Sequence, residues 1–296
     1  MHRLAYISLL AATLFWGGNT VAGKLALGHI SPMMLISLRW LLATTLIFAS
    51  SVQTLKRDWP VARQHLPLFL LLGATGFTLF NAMLYSAAHY TTAINIAIEQ
   101  AGIPMLIFLL NFLWFRTRVS LAQLFGFVLT LAGVGLTATH GDPMSLLSIG
   151  VNFGDGLMLI AVAAYALYTI FLRFKPQVHW RTMMAFPALG AFLSSLPPLI
   201  WEAQRGALVV PDPAGWAIII YTALFASLAA QTLYVFAVGR IGANRASLFI
   251  NLVPVFGTLI SILVLGEALH AFHVVALILA ISGIAIAEWG RPRIAA

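Results

Sequence analysis

Two ionisable side chains sit where ionisable side chains are expensive. Glu99 lies in "AINIAIEQAGIPMLIFLL" and Arg39 in "PMMLISLRWLLATTLIFA", both otherwise almost wholly apolar. A charge at that depth in a bilayer marks a pairing, a substrate site or a proton path. Each lies about seven residues below the outer start of its span, ~10 Å deep at a 1.5 Å rise per residue. Equal depth on spans running in the same direction predicts an ion pair that ties the two helices together. The alternatives place Glu99 on a cavity wall, binding a substrate ammonium or carrying a coupling proton, or let Arg39 hold a substrate carboxylate.

Aromatic and amide side chains make a second set. Trp16 and Tyr165 fall mid-span rather than at the interfacial belts where membrane Trp and Tyr concentrate. Tyr85, Tyr168 and Tyr234 extend the set, and all five are candidates to line a substrate cavity. Helix packing with a satisfied hydroxyl or indole N–H is the alternative. Amides at Asn19, Asn81, Asn95, Gln100, Gln231 and Asn251 either glue helices or line a wet cavity, and Asn19 and Asn95 are the first choices for the cavity. Pro104 and Pro254 should loosen the carbonyls of Gln100 and Ile250, giving a kink or a hinge. Gly17, Gly18, Gly23, Gly126 and Gly133 permit close helix approach. His270 and His273 have no third ligand in their stretch, so no metal is expected. "GVNFGDG" follows no strand and lacks a Walker lysine, so it reads as a loop.

Positioning these residues requires membrane helices. The 296 residues are 61% hydrophobic and 8% charged, with a mean hydropathy of +0.97. A soluble domain carries about 25% charged residues, so the chain is an all-α polytopic membrane protein. Charged and Pro/Gly clusters divide it into ten spans, about 4–25, 32–52, 66–88, 92–114, 119–139, 153–174, 180–202, 214–238, 243–265 and 270–289. The basic start and apolar run at the N-terminus exceed a signal peptide's h-region, so this segment reads as the first span. With the N-terminus in the cytoplasm, 13 of the 16 Lys and Arg residues fall on the inner side. Lys24 and Arg205 fall outside with Asp142, Asp155, Glu202, Asp212 and Glu267. That bias predicts both termini inside. The net charge of +8 is dispersed in loops, which argues against nucleic acid. The absence of cysteine excludes disulfides and thiol chemistry.

The two halves of the sequence match at a shift of about 150 residues. "IPMLIFLLNFLWFRTRVSLAQLFGFVLTLAGVGL" from Ile103 overlies "VPVFGTLISILVLGEALHAFHVVALILAISGIAI" from Val253, pairing Pro104 with Pro254 and Gly133 with Gly283. One residue earlier in shift, Trp16 meets Tyr165, Asn19 meets Tyr168 and Tyr85 meets Tyr234. Glu99 meets Phe249, so the acid belongs to one half only. Five spans per half, an odd number, give the halves opposite orientation, a construction used by secondary transporters. The expected organisation is a first repeat at 1–140, a connecting loop at 141–152 and a second repeat at 153–296.

Trp16-Gly17-Gly18-Asn19, Arg39 and the ending "LGEALHAFHVVALILAISGIAI" resemble the EamA branch of the drug/metabolite transporter superfamily, most closely its YddG-type amino-acid exporters. Arg116-Thr117 departs from the Gly-Glu pair many members carry there. The resemblance implies ten helices around a central cavity in the bacterial inner membrane, with alternating access and export of small metabolites. Aromatic walls suit amino acids that include aromatic and other apolar ones. Efflux of drugs or other metabolites by the same fold is the nearest alternative. An integral-membrane lipid-modifying enzyme would need a catalytic constellation, and a fixed channel would not need matched halves. The expected partners are a small-molecule substrate and the bilayer, with no cofactor, no nucleic acid, and a monomer as one open possibility for the assembly.

Overall fold

The computed structural model describes residues 2–87, 89–91, 93–142, 144–145, 152–266 and 268–289, excepting the side chains of 2, 93–95, 98, 265 and 288. Among these, the regular structure is entirely helical. In chain order the helices are α1 His2–Leu25, α2 Pro32–Ala49, α3 Val52–Ala87, α4 Ala93–Gln100, α5 Ile103–Phe115 and α6 Leu121–Ala138. There follow α7 Phe153–Phe174, α8 Trp180–Gln204, α9 Pro213–Ile241, α10 Ala243–Val264 and α11 Ala271–Trp289. Eight of these are long and apolar enough to cross a membrane, and α5 and α11 are shorter apolar helices.

Local chemistry sets the boundaries. Ser120 and Gln123 form a reciprocal capping box at the start of α6, and Asn152 and Asp155 form another at the start of α7. The second box starts α7 at Phe153, where the sequence placed the beginning of the span at 153–174. Asp212 caps α9 with Pro213 at the first helical position. Gly266 ends α10 with φ +72°, and Arg116 ends α5 in the same left-handed region with φ 54°. A residue with a Cβ costs ~1–2 kcal/mol there.

Two helices depart from the expected spans. α3 begins at Val52 rather than near 66, and its 36 residues make it ~54 Å long, beyond a ~30 Å hydrocarbon core. The charged stretch Lys56-Arg57-Asp58 is thus a helical extension, not a loop. The expected span at 92–114 is two helices, broken at Ala101–Gly102. Pro104 has no N–H to offer Gln100 and occupies the first turn of α5, where none is needed. In α10 a 3₁₀ turn at Phe249–Asn251 precedes Pro254 at the corresponding place. The prolines therefore start new helical runs rather than kink old ones.

Two helix pairs hold the bundle. α6 and α11 run antiparallel with their backbones in contact. A Cβ on Gly126 would stand 2.3 Å from the Gly283 carbonyl oxygen, and one on Gly133 would stand 2.8 Å from that of Ala276. α2 packs on α8, and carboxylates close both ends of that pair. The buried Glu202 of α8 accepts hydrogen bonds from Ser31 Oγ (2.7 Å), Met33 N (3.1 Å) and Met34 N (3.2 Å) at the start of α2. At the other end Asp58 of α3 accepts from His179 N (2.8 Å) and Thr182 Oγ1 (2.7 Å) at the start of α8. Each acid satisfies orphan donors of a first helical turn.

π-helical segments interrupt α3 at Gly73–Leu79 and α9 at Thr222–Ala229. Such segments are rare and frequent at functional sites. Their hydroxyls face the paired helices: Thr78 Oγ1 donates to Ala191 O of α8 at 2.7 Å, and Ser227 meets α2.

Candidate functional site

The mid-span aromatics come together. Trp16 of α1 lies 6.1 Å from Tyr165 and 5.4 Å from Tyr234, centroid to centroid. Tyr165 lies 5.3 Å from Tyr168 and 6.0 Å from Tyr234, and Phe80 covers it at 5.0 Å. Tilted and edge-on packing of this kind adds ~0.5–1.5 kcal/mol per pair beyond burial. The rings fill the centre rather than line an open chamber: Tyr168 is 1% exposed and Tyr234 fully buried. The cluster draws rings from four helices, α1, α3, α7 and α9, with Trp16 and Phe80 half-buried at its edge. Clefts open nearer the surface, one of about 350 Å³ between the start of α8 and the second half of α9, beside Met183, Thr232 and Val235.

The polar tips divide into satisfied and unsatisfied ones. Trp16 Nε1 donates to Ala226 O (3.1 Å), a carbonyl of the α9 π-helical segment. Tyr168 OH donates to Gln231 Oε1 (3.3 Å), and Tyr234 OH lies 3.3 Å from Thr169 Oγ1. The hydroxyls of Tyr165 and Tyr85 are buried without a partner at full hydrogen-bond geometry, with Gln231 and Arg39 standing beside them. Buried polar groups in proteins are nearly always paired, so two orphaned hydroxyls mark a place built for another molecule or for motion.

Arg39 and Glu99 do not form the ion pair that equal depth suggested. Arg39 is 2% exposed. Its Nε donates to Ser227 Oγ (3.0 Å) and a terminal nitrogen donates to Asn19 Oδ1 (3.5 Å). The Tyr85 phenol lies beside it. Glu99 is half-buried on α4, with Oε2 buried and without a hydrogen-bond partner among the described residues, and the Asp155 charge acts on it. Among the described residues, ion pairs join His29 to Asp212 and Arg57 to Asp58. Equal depth left open which way each residue faces around its helix, and packing turned Arg39 toward Ser227 of α9 rather than toward Glu99.

The remaining candidates separate. Asn19 joins the Arg39 cluster. The side chain of Asn95 lies outside the described residues, as do Glu267 and the Arg291 and Arg293 region. Asn251 donates to Thr130 Oγ1 (2.7 Å) and so glues α10 to α6, while Asn81 donates to its own helix at Phe77 O. Ser227 and Glu202 were not singled out from sequence. Ser227 is a small residue in an apolar run, and its partner lies 188 positions away. Glu202 sits at a span end, where an acid reads as solvated.

Outside the spans, the Gly215 N–H and then His29 hold the Asp212 carboxyl below the usual aspartate range.

The comparisons agree with this architecture. Residues 3–139 and 152–289 match the EamA-like transporter family. "Uncharacterized transporter YetK" of Bacillus subtilis is 28% identical, over 95% of this chain and 85% of its own length. A "Probable amino-acid metabolite efflux pump" of Salmonella typhimurium is also 28% identical, over 98% of this chain and 96% of its own. A crystal structure with 18% identity superposes with a TM-score of 0.77 over 96% of both chains. The chain is a multi-pass membrane protein that belongs to the EamA-like transporter family, within the drug/metabolite transporter superfamily.

Proposed function

We propose that the protein exports amino acids, including aromatic and other apolar ones, or similar small metabolites across the bacterial inner membrane by alternating access. In this reading ten spans form two inverted five-helix repeats, 1–140 and 153–296 joined by 141–152, with both termini in the cytoplasm. The observation that carries it is the central aromatic cluster with its orphaned hydroxyls. Trp16 comes from the first half and Tyr165, Tyr168 and Tyr234 from the second. A closed centre flanked by unpaired Tyr165 and Tyr85 hydroxyls fits one stage of a cycle that opens to take a substrate.

Two-fold exchange of contacts supports the inverted repeat. At the shift of about 150 residues, Gly126 corresponds to Ala276 and Gly133 to Gly283. The contacts are Gly126 with Gly283 and Gly133 with Ala276, the crossed pattern that a two-fold axis requires. The π-helical segments of α3 and α9 also correspond, as do Thr78 and Ser227 within them. The printed name of the Salmonella relative supports amino-acid metabolites as substrates. In this reading Trp16, Asn19, Tyr85, Asn95, Glu99, Tyr165, Tyr168 and Tyr234 contact substrate. Glu99, with no cation paired to it among the described residues, binds the ammonium or carries a coupling proton, and the breaks before Pro104 and Pro254 act as hinges.

Counterflow in proteoliposomes tests the proposal. Vesicles preloaded with unlabelled leucine or phenylalanine should accumulate the labelled amino acid, and Trp16→Ala should reduce the rate at least tenfold. Absence of counterflow across the amino acids and a metabolite panel overturns it.

A further inference from the structure

Arg39 is a buried cation with no carboxylate paired to it among the described residues. Its Nε–H is used by Ser227 Oγ and one terminal N–H by Asn19 Oδ1, both neutral acceptors. A guanidinium has five N–H donors, and the partners around it among the described residues, Ser227, Asn19 and the Tyr85 phenol, are all neutral. Two further donors beside it are unsatisfied. The Tyr85 hydroxyl beside Arg39 is buried with no acceptor for its own proton, and the indole N–H of Trp40 is buried without a partner. The Trp40 ring lies 5.4 Å from the guanidinium carbon. Helix packing alone does not explain a cluster of donors lacking acceptors around a full positive charge, because each member pays desolvation without return.

The geometry points to a carboxylate-binding site at Arg39, in which the substrate's carboxylate takes the free edge of the guanidinium and accepts from Tyr85. A planar carboxylate matches the fork of a guanidinium in bidentate fashion. A single negative charge neutralises the site, whereas a phosphate dianion would leave an excess charge in apolar surroundings. Asn19 and Tyr85 beside it are half-buried while Arg39 is sealed. The Nε bond to Ser227 anchors the head to the π-helical segment of α9, the segment whose Ala226 carbonyl also holds Trp16. Filling the site therefore acts on α1, α2 and α9 together.

This inference rests on the export reading for the identity of the ligand, and its test separates the two. Binding of 4-methylpentanoate and of its neutral amide is measured by calorimetry on the purified full-length protein, alongside leucine and leucinamide counterflow in proteoliposomes. The wild type should prefer the acid at least tenfold. Arg39→Gln should bring the acid-to-amide ratio to about one, and Arg39→Lys should keep a reduced preference. Equal binding of acid and amide by the wild type overturns the site without reference to any variant. A well-folded Arg39→Gln protein that keeps the preference overturns it too. If acid and amide bind alike while leucine exchanges, the carboxylate site falls and the export reading stands. If the acid binds through Arg39 while no amino acid crosses, the site stands and the export reading falls.

Discussion

Removing the Glu202 carboxylate should unseat the first turn of α2. One carboxylate oxygen accepts from Ser31 Oγ at 2.7 Å and Met34 N at 3.2 Å, and the other from Met33 N at 3.1 Å. The side chain is 7% exposed, so water does not replace it freely. Hydrogen bonds to a charged group contribute ~1.5–3 kcal/mol each, and an N-cap ~0.5–2. The three bonds share one charge and one helix end, so their sum overcounts. Glu202→Ala should cost ~2–4 kcal/mol, and Glu202→Gln roughly half, since one carbonyl oxygen still accepts. The assay is a denaturant titration in mixed micelles followed by tryptophan fluorescence, with Ser31→Ala as the second arm of a double-mutant cycle. A coupling of ~1–2 kcal/mol is expected for residues in one network. Strict additivity, or a loss below ~0.5 kcal/mol for Glu202→Ala, would refute the cap, because a surface acid away from such contacts changes stability by about that little.

Gly126→Val should force α6 from α11, since its Cβ would stand 2.3 Å from a backbone oxygen. Gly135→Ala on the same helix meets nothing within 4 Å and should be neutral or slightly stabilising, by up to ~1 kcal/mol from helix propensity; comparable melting of the two variants would contradict the close contact. The lowered Asp212 carboxyl, held by Gly215 N–H and His29, has a definite sign. Its contribution is present above the unfolded value near pH ~4 and is lost as pH falls through the lower folded value. Asp212→Asn should therefore melt below the wild type at neutral pH and converge with it in acid, and a constant gap across the range would count against that assignment.

How much was readable from sequence depends on what each feature obeys. Membrane class, the approximate spans and the matching of halves follow from composition and from counting, because the bilayer demands apolar length wherever the chain crosses. The repeat matched Trp16 with Tyr165 as two walls of one cavity, and only the packing showed their rings 6.1 Å apart, edge to face. Pro104 was visible as a perturbation, but whether it bends a helix or starts one depends on the neighbouring Ala101–Gly102 break. The extension of α3 was missed because charged residues read as loop, while Asp58 is helical and caps α8.

Depth was legible and direction was not. Counting from a span's end placed Arg39 and Glu99 at one level, since the helical rise is fixed. Which way each faces is decided by the packing of glycine contacts, capped helix pairs and stacked rings, and that packing pointed Arg39 at Ser227 of α9 rather than at Glu99. The sequence by itself determined that a membrane protein of matched halves carries a cation, an acid and a row of aromatics at mid-depth. Only the tertiary structure decided that the cation and the acid stand apart, because the rotation of one helix against another is set by contacts between segments distant in the chain.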